Sequence, residues 1–575
     1  MANGVRKALS ALINRAKSLS MGMGDNPTAM AKMNARIARI GFTSRQRELN
    51  DLWMWFRNQH HEGFGVDWNG DQIPEIEIDT YATQAYVPPG QVAMAAETPI
   101  KYRRPTAPYA LPRVIVKRFT GLLFSEGHQP KIVVEGDSQT DDWINAAMAA
   151  GNLWSKIKIA RDYGGAMGTT CLGFKFLPGD PGDAPDGAEP STKIEIEVHN
   201  PCWCVPTFKA HGSFELLKLE KRYLTPKEER DERTGKTETV WFWYRRVIDE
   251  QTDTEWELVP VGDLDEPAWD DLPHETITHG FGFVPAVWTQ NKPVEDDIDG
   301  DPDCVGIFDL VDSIDRLVSQ SNKSALANAD PTPVFSTDAI LPKVKMGGAD
   351  TGIKLPTGDS ASFLESSGAG AKAALDLAKE LRAFALEVAQ CVLDHPEANA
   401  QKTATEIERV YSSMLEAAGD MRTQYGDCAI VPLAQKMIRG ARTLARGAVG
   451  SDGVVVHQEV RLPPRVIKPA TDAAPVEGSE PPPVLVERAL GPGGVVTLRW
   501  PPFFRPTLVD ITQAVAAAAQ ALTAGLIDED HAVDFVSRFF GFADTAAVRA
   551  KIGAEKAKRD AEQAAMVQQY MGGGR

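Results

Sequence analysis

Four groups of residues in this 575-residue sequence have the types and spacing to do chemistry. Residues 295–303 read Glu-Asp-Asp-Ile-Asp-Gly-Asp-Pro-Asp, a carboxylate run that suggests a divalent-cation loop. Aligned on Gly300, a calcium loop needs an acid where Gly306 stands, so the pattern fails and a surface acidic loop is expected. Cys202 and Cys204 flank Trp203, with only His199 and His211 nearby as further ligands. That spacing does not match zinc, and two thiols around a strand tryptophan are expected. The glycine cluster from Tyr163 to Gly168 lacks the Gly-Lys-Ser/Thr ending of a phosphate loop and precedes a strand, so it reads as a helix-to-strand hinge. His279 stands without a Ser/His/Asp order, an HExxH helix or a Walker loop. A metal-dependent enzyme built on residues 295–303, or an enzyme using His279, is therefore the weaker alternative, and no cofactor is implied.

Composition narrows the classes further. The length calls for several domains or subdomains. No apolar run reaches the ~18 residues that a membrane-spanning helix needs, which argues against a membrane channel and a membrane partner. Arg6, Lys7, Arg15 and Lys17 stand among interrupted apolar residues, so no secretory signal is read and the chain is expected to begin in a cytoplasm. Six cysteines in so long a chain do not make a disulfide framework. The net charge of −18 argues against tight binding of nucleic acid, which needs lysine and arginine to displace phosphate counterions. It remains compatible with a surface past which DNA slides without sticking, although charge alone does not point to DNA.

The elements that position these residues follow from hydrophobic period. Residues 367–444 read as two helices about a polar hinge. In the first, over 371–393, Leu377, Leu381, Phe384, Val388 and Val392 share one face, and Asp394-His395-Pro396 stops it. The second starts at Thr403 or Thr405 with Ile407, Val410, Met414, Met421 and Tyr425 as its stripe, and Pro432 is expected to kink it. Upstream, helices are expected over 113–124 and 139–167, with a strand at 131–134. Residues 169–290 switch to period two, as where Ile194, Ile196 and Val198 alternate with Lys193, Glu195 and Glu197. Strands at 214–223 and 240–247 flank a charged turn over 228–236, and 255–261 adds another. Ile307, Leu310, Val311, Ile314, Leu317 and Val318 make a helical stripe to about residue 328. Short strands follow at 334–335, 353–355 and 454–456. A Pro-rich linker over 463–483, a strand at 495–500 and helices over 511–522 and 529–539 complete the chain.

In this order the pieces resemble a portal protein of tailed double-stranded DNA bacteriophages. The resemblance covers roughly residues 112–544. It is carried by PRVIVKRFTGLLFSEGHQPKIVVEG, HGFGFVPAVWTQN, IFDLVDSIDRLVSQSNKSALANADP, HPEANAQKTATEIERVYSSML and WPPFFRPTLVDITQAVAAAAQALTAGLIDEDHAV. It implies an α+β portal fold: a wing with antiparallel strands and a long kinked helix, a helical stem, an α/β clip and a helical crown. The implied parts are a wing (49–303), descending stem helix (304–329), clip (330–366), returning stem helix (367–394), tunnel loop (395–403), kinked wing helix (404–447), further wing strands (448–508) and crown helices (509–553), whereas the basic N-terminal arm (1–48), the Pro-rich linker within 448–508 and the charged tail (554–575) are read from composition and match nothing diagnostic of the family.

The resemblance also implies a function and partners. Portal subunits form a ring, here expected to be a dodecamer, at one capsid vertex. Double-stranded DNA passes through it without sequence specificity, during packaging and again during ejection. The implied partners are the terminase large subunit, the major capsid and scaffolding proteins, and later the head–tail adaptor. The ring would be assembled in the bacterial host cytoplasm and reside in the virion. Another virion head–tail ring protein is the alternative within the same class. Glu397, Asn399, Gln401, Lys402 and Thr403 would form the tunnel loop, with Lys402 the candidate phosphate contact. Asp309, Asp312, Asp315, Lys372, Asp376 and Lys379 of the stem would line the axis or pair between subunits. Asp330, Pro331, Lys343, Lys345 and Asp350 would belong to the clip.

Overall fold

A computed structural model describes residues 43–60, 107–179, 191–230, 237–261, 267–269, 272–295, 297–329, 332–336, 360–364, 369–393, 404–446, 460–467, 484–503 and 508–528, with short helical pieces at 531–533, 535–536, 552–555 and 557–558. In chain order the elements are α1 (Ser44–Phe56), α2 (Leu111–Phe124), β1 (Lys131–Glu135), α3 (Ser138–Ala150), α4 (Leu153–Met167), β2 (Thr169–Leu177), β3 (Lys193–His199), β4 (Cys204–Phe208), β5 (Leu216–Arg230), β6 (Thr237–Ile248), β7 (Thr252–Trp256), β8 (Val259–Pro260), β9 (His274–Thr278) and β10 (Ala286–Gln290). There follow α5 (Phe308–Ala329), β11 (Thr332–Ser336), β12 (Ser360–Leu364), α6 (Ala369–Val388), α7 (Ala404–Tyr425), a π turn (Gly426–Ile430), α8 (Val431–Ala445), β13 (Arg465–Ile467), β14 (Val484–Val486), β15 (Val495–Arg499) and α9 (Leu508–Thr523). The fold is α+β, and every strand pair among the described residues is antiparallel.

The chain divides into two compact units, residues 1–120 with 155–460, and residues 121–154 with 461–575. In the first, a sheet ordered β10-β2-β3 faces a larger one ordered β4-β5-β6-β7-β9, with β8 on β6. Cys171, Cys204, Leu216, Leu219, Ile248, Val284, Ala286 and Trp288 fill one shared apolar cluster. A second cluster gathers Leu224, Trp243 and Trp269 on the distal part of the long β5–β6 hairpin. In the second unit β1 pairs with β15, Lys131 opposite Arg499. Asp137 caps α3 through the Gln139 and Thr140 amides and also accepts from the Gly493 amide. A Cβ on Gly491 would collide with that carboxylate, so the glycine-rich turn closes on it.

Several boundaries differ from the sequence reading, each for a local reason. The helix expected over 139–167 is two helices, broken at Gly151 and at Asn152, which takes a left-handed φ of 53°. The strands of the β5–β6 hairpin run on to Arg230 and from Thr237, so its charged turn is shorter than expected. The linker expected over 463–483 contains β13, which pairs with β14. The helix expected to reach residue 393 ends at Val388. Gln390 turns left-handed (φ 51°), the Cys391 amide bonds the Leu386 carbonyl and the Gln390 amide bonds that of Glu387. These bonds satisfy the terminal carbonyls well before Pro396 can act. The expected strands at 353–355 and 454–456 lie outside the described residues.

Candidate functional site

The hairpin of α5 and α6 has three distinct faces on its second helix. Ala378, Ala385 and Ala389 are buried and fall within about 40° of one another on a helix turning about 100° per residue. α6 packs on α5 and is tied to it by the Ser321 hydroxyl, which donates to the Ala371 carbonyl at 3.2 Å. Small side chains allow that approach. Leu377, Phe384 and Val388 lie about 100° further round and are 45%, 54% and 55% exposed. This is the stripe that the sequence marks as apolar, and most of it is open in the single chain. Lys372, Asp376 and Lys379 occupy the third face in solvent, the last two paired at 3.0 Å.

The remaining stem residues separate by surroundings. Asp309 is exposed, and Asp312 pairs with Arg316 one turn on at 2.8 Å. Asp315 departs from the expectation of an axis-lining or intersubunit charge. It is 2% exposed, accepts from the Tyr109 amide at 2.6 Å and faces His60 Nε2 at 3.3 Å, because its helical position falls on the packed side with Val311 and Ile314. The tunnel-loop residues Glu397, Asn399, Gln401, Lys402 and Thr403, and the clip residues Asp330, Pro331, Lys343, Lys345 and Asp350, lie outside the described residues, as does the basic arm before residue 43. Of the clip segment, the paired strands β11 and β12 are described.

The long helix after the hairpin is interrupted by the π turn at Gly426–Ile430. Pro432 falls in the first turn of α8, directly after the π turn, where its missing N–H is tolerated. Both sides of the π turn are anchored to the β10-β2-β3 sheet and its neighbours. Downstream, Lys436 Nζ donates to the Val284 and Ala286 carbonyls at 3.2 and 2.7 Å, and burial pushes this ammonium down to about 8. Upstream, the fully buried Tyr425 donates to Asn291 Oδ1 at 2.9 Å, and burial raises its hydroxyl pKa. Asn291 in turn donates to Asp303 Oδ1 at 3.0 Å, and Arg161 donates to Asp303 Oδ2 at 2.8 Å. Arg161 also lies over the Tyr425 ring, 5.2 Å from its centroid. Burial works against the Arg161 charge, but Asp303 outweighs it and raises the guanidinium further.

This buried knot explains the glycines of α4. A Cβ on Gly164 would meet the Tyr425 hydroxyl, and Gly168, with φ 85°, turns the chain against the Gly300 carbonyl. The helix-to-strand hinge is thus also a close-packing surface. Two carboxylates of the acidic segment are held by arginines. Asp303 holds Arg161, and Asp299 pairs with Arg45 of α1, whose Nη2 lies 2.8 Å away. Arg45 also donates to the Cys204 carbonyl and lies over the Trp288 ring. Among the described residues no group of three or more His, Cys, Asp or Glu is arranged to hold a metal ion. Trp203 ends a 3-10 turn and only Cys204 opens a strand, a change from the expected strand tryptophan. His279 is buried against Phe281.

A second polar cluster lies on β3, β6 and β7. Arg246 forks to Glu197 at 3.1 and 3.0 Å and to Asp253 at 2.8 and 2.9 Å, with Lys175 3.3 Å from Asp253. Burial pushes the His199 imidazole down to about 4, against the pull of Glu197. Burial would raise the Glu197 carboxyl, but His199, Arg246 and Lys175 outweigh it and bring it down to about 2.

Sequence reasoning missed Arg161, Asn291 and Tyr425 as one constellation. Its one available signal was a pair of glycines inside a helical pattern, which marks close approach without naming the neighbour. No protein-family model matches this chain, and no curated protein matches it.

Proposed function

We propose that this chain is the subunit of a phage portal, a ring that passes double-stranded DNA into and out of a capsid. The observation that carries this reading is α6, which turns alanines inward to α5 and leaves Leu377, Phe384 and Val388 open. A side chain of that kind gains about 1.5–3 kcal/mol on full burial. A hairpin that covers one face internally and leaves a second apolar face open is suited to side-by-side repetition. Its third face keeps Lys372, Asp376 and Lys379 in water, as an aqueous channel or an outer ring surface requires. The terminase, adaptor, capsid and scaffold partners follow from the same reading, as do the tunnel-loop role of residues 395–403 and residence in the virion. The test is solution mass by light scattering on the full chain, native and Phe384→Glu. The native chain should give an assembly of many subunits. Phe384→Glu should shift it toward the single chain without loss of helix by circular dichroism. A native chain that is a single subunit at every concentration overturns the reading.

A further inference from the structure

One edge of the larger sheet is open. β9 ends the order β4-β5-β6-β7-β9. The Glu257 amide donates to the Pro273 carbonyl and the His279 amide to that of Gln251, so residues 273, 275, 277 and 279 turn their backbone groups toward β7. The amides and carbonyls of His274, Thr276 and Thr278 therefore point outward, and among the described residues they have no hydrogen-bond partner. Glu275 stands directly opposite Glu255 across the β7–β9 pair. Both are exposed, and neither is in an ion pair among the described residues. Like charges so placed work against the pairing. Ile277, on the same face, is 37% exposed and lies opposite Asp253, which Arg246 and Lys175 already hold. The chain carries no Lys or Arg from Val247 to Asn291, although Asp and Glu recur from Asp249 to Glu275.

We propose that the open edge of β9 receives an extended segment of another protein, a strand that sets a lysine or arginine beside Glu275 and Glu255. Two observations fix the chemistry of that occupant. A row of outward amides and carbonyls is matched by another extended backbone. The opposed carboxylates lack a cation that this part of the chain does not supply, and a cation on the added strand next to Glu275 offsets their repulsion. The segment is added antiparallel, like every other pair in this sheet. It then reads apolar-x-Lys/Arg, because the apolar residue meets Ile277 and the cation meets Glu275 two positions later on the same face. A second copy of β9 does not fit, since it would add its own Glu275 to the carboxylates already there. Nucleic acid is repelled by the same charge. The inference rests on β7 and β9 and needs nothing from the α5–α6 hairpin, so it stands apart from the portal reading.

The test applies the dye-labelled full chain to two arrays of short peptides. One keeps an apolar-x-lysine core and varies its flanks, and the other carries glutamate in place of the lysine. The chain should bind the lysine array at least about tenfold more tightly, a difference of about 1.4 kcal/mol. No retention on either array, or equal retention on both, overturns the proposal. Thr276→Pro removes an outward amide that the fold does not use, a change that an edge strand tolerates. It should weaken binding to the lysine array by at least about tenfold with circular dichroism unchanged. Binding as tight as that of the native chain would mean that charge alone acts, and would overturn the added strand. Should that variant unfold, N-methylation of the best lysine peptide decides. Methyl groups on one set of alternate amides should abolish binding and on the other set leave it, because the added strand pairs along one of its edges. Equal effects of the two sets overturn the proposal. Glu255→Lys with Glu275→Lys should reverse the preference between the arrays, and an unchanged preference overturns the role of the two carboxylates.

Discussion

The Thr289 hydroxyl donates to the Cys428 carbonyl at 2.9 Å. Cys428 lies four residues before Pro432, so in an uninterrupted α-helix its carbonyl would accept the N–H that proline lacks. Thr289 is 2% exposed on β10 and supplies a donor from the side. The π turn is therefore tied to the sheet just before the proline. Thr289→Val keeps the shape and removes the donor. It should destabilise the chain by about 1–3 kcal/mol, read from urea unfolding. Pro432→Ala restores an N–H, so the double variant should lose less than the sum of the two single changes. Strict additivity would show that the two positions do not share that carbonyl.

Asp303→Ala should be more damaging, because it leaves the Arg161 charge buried without its partner. The expected cost is about 3–5 kcal/mol. Arg161→Met combined with Asp303→Ala removes both charges and should recover part of that loss. A double variant as unstable as the sum of the singles would place the role of Asp303 elsewhere.

Periodicity located α5, α6 and the antiparallel strands, because solvent on one side imposes a repeat on the other. It could not say that Leu377, Phe384 and Val388 face out of the single chain, since a stripe has the same spacing whichever neighbour covers it. Pro432 marked a break in the regular helix, which the π turn supplies, but the donor from Thr289 could not be read from positions 139 residues away. Likewise nothing in the local spacing marks Asp315 as packed beside His60 and the Tyr109 amide. The pairing of β1 with β15 was equally hidden, because nothing local in either strand names its partner.

Acid should loosen the first unit through its buried histidines. His199 titrates near 4 in the fold, below its ordinary 6.5, so between those values the unfolded chain takes up a proton that the folded chain refuses. Stability is flat with respect to this group above pH 6.5 and falls as pH drops toward 4. His279, also lowered by burial, acts in the same direction. Glu197, held near 2 against an ordinary 4.5, extends the loss below pH 4.5. The urea midpoint should fall from pH 7 to pH 4.5, and His199→Gln should fall less over the same interval. Equal slopes in the two proteins would remove His199 from the account.

The most direct measurement is an end-on view of the purified full chain by electron microscopy with class averaging. The portal reading predicts closed rings of identical subunits around one central hole wide enough for a DNA duplex. Compact single particles without a hole, at every protein concentration imaged, would contradict it.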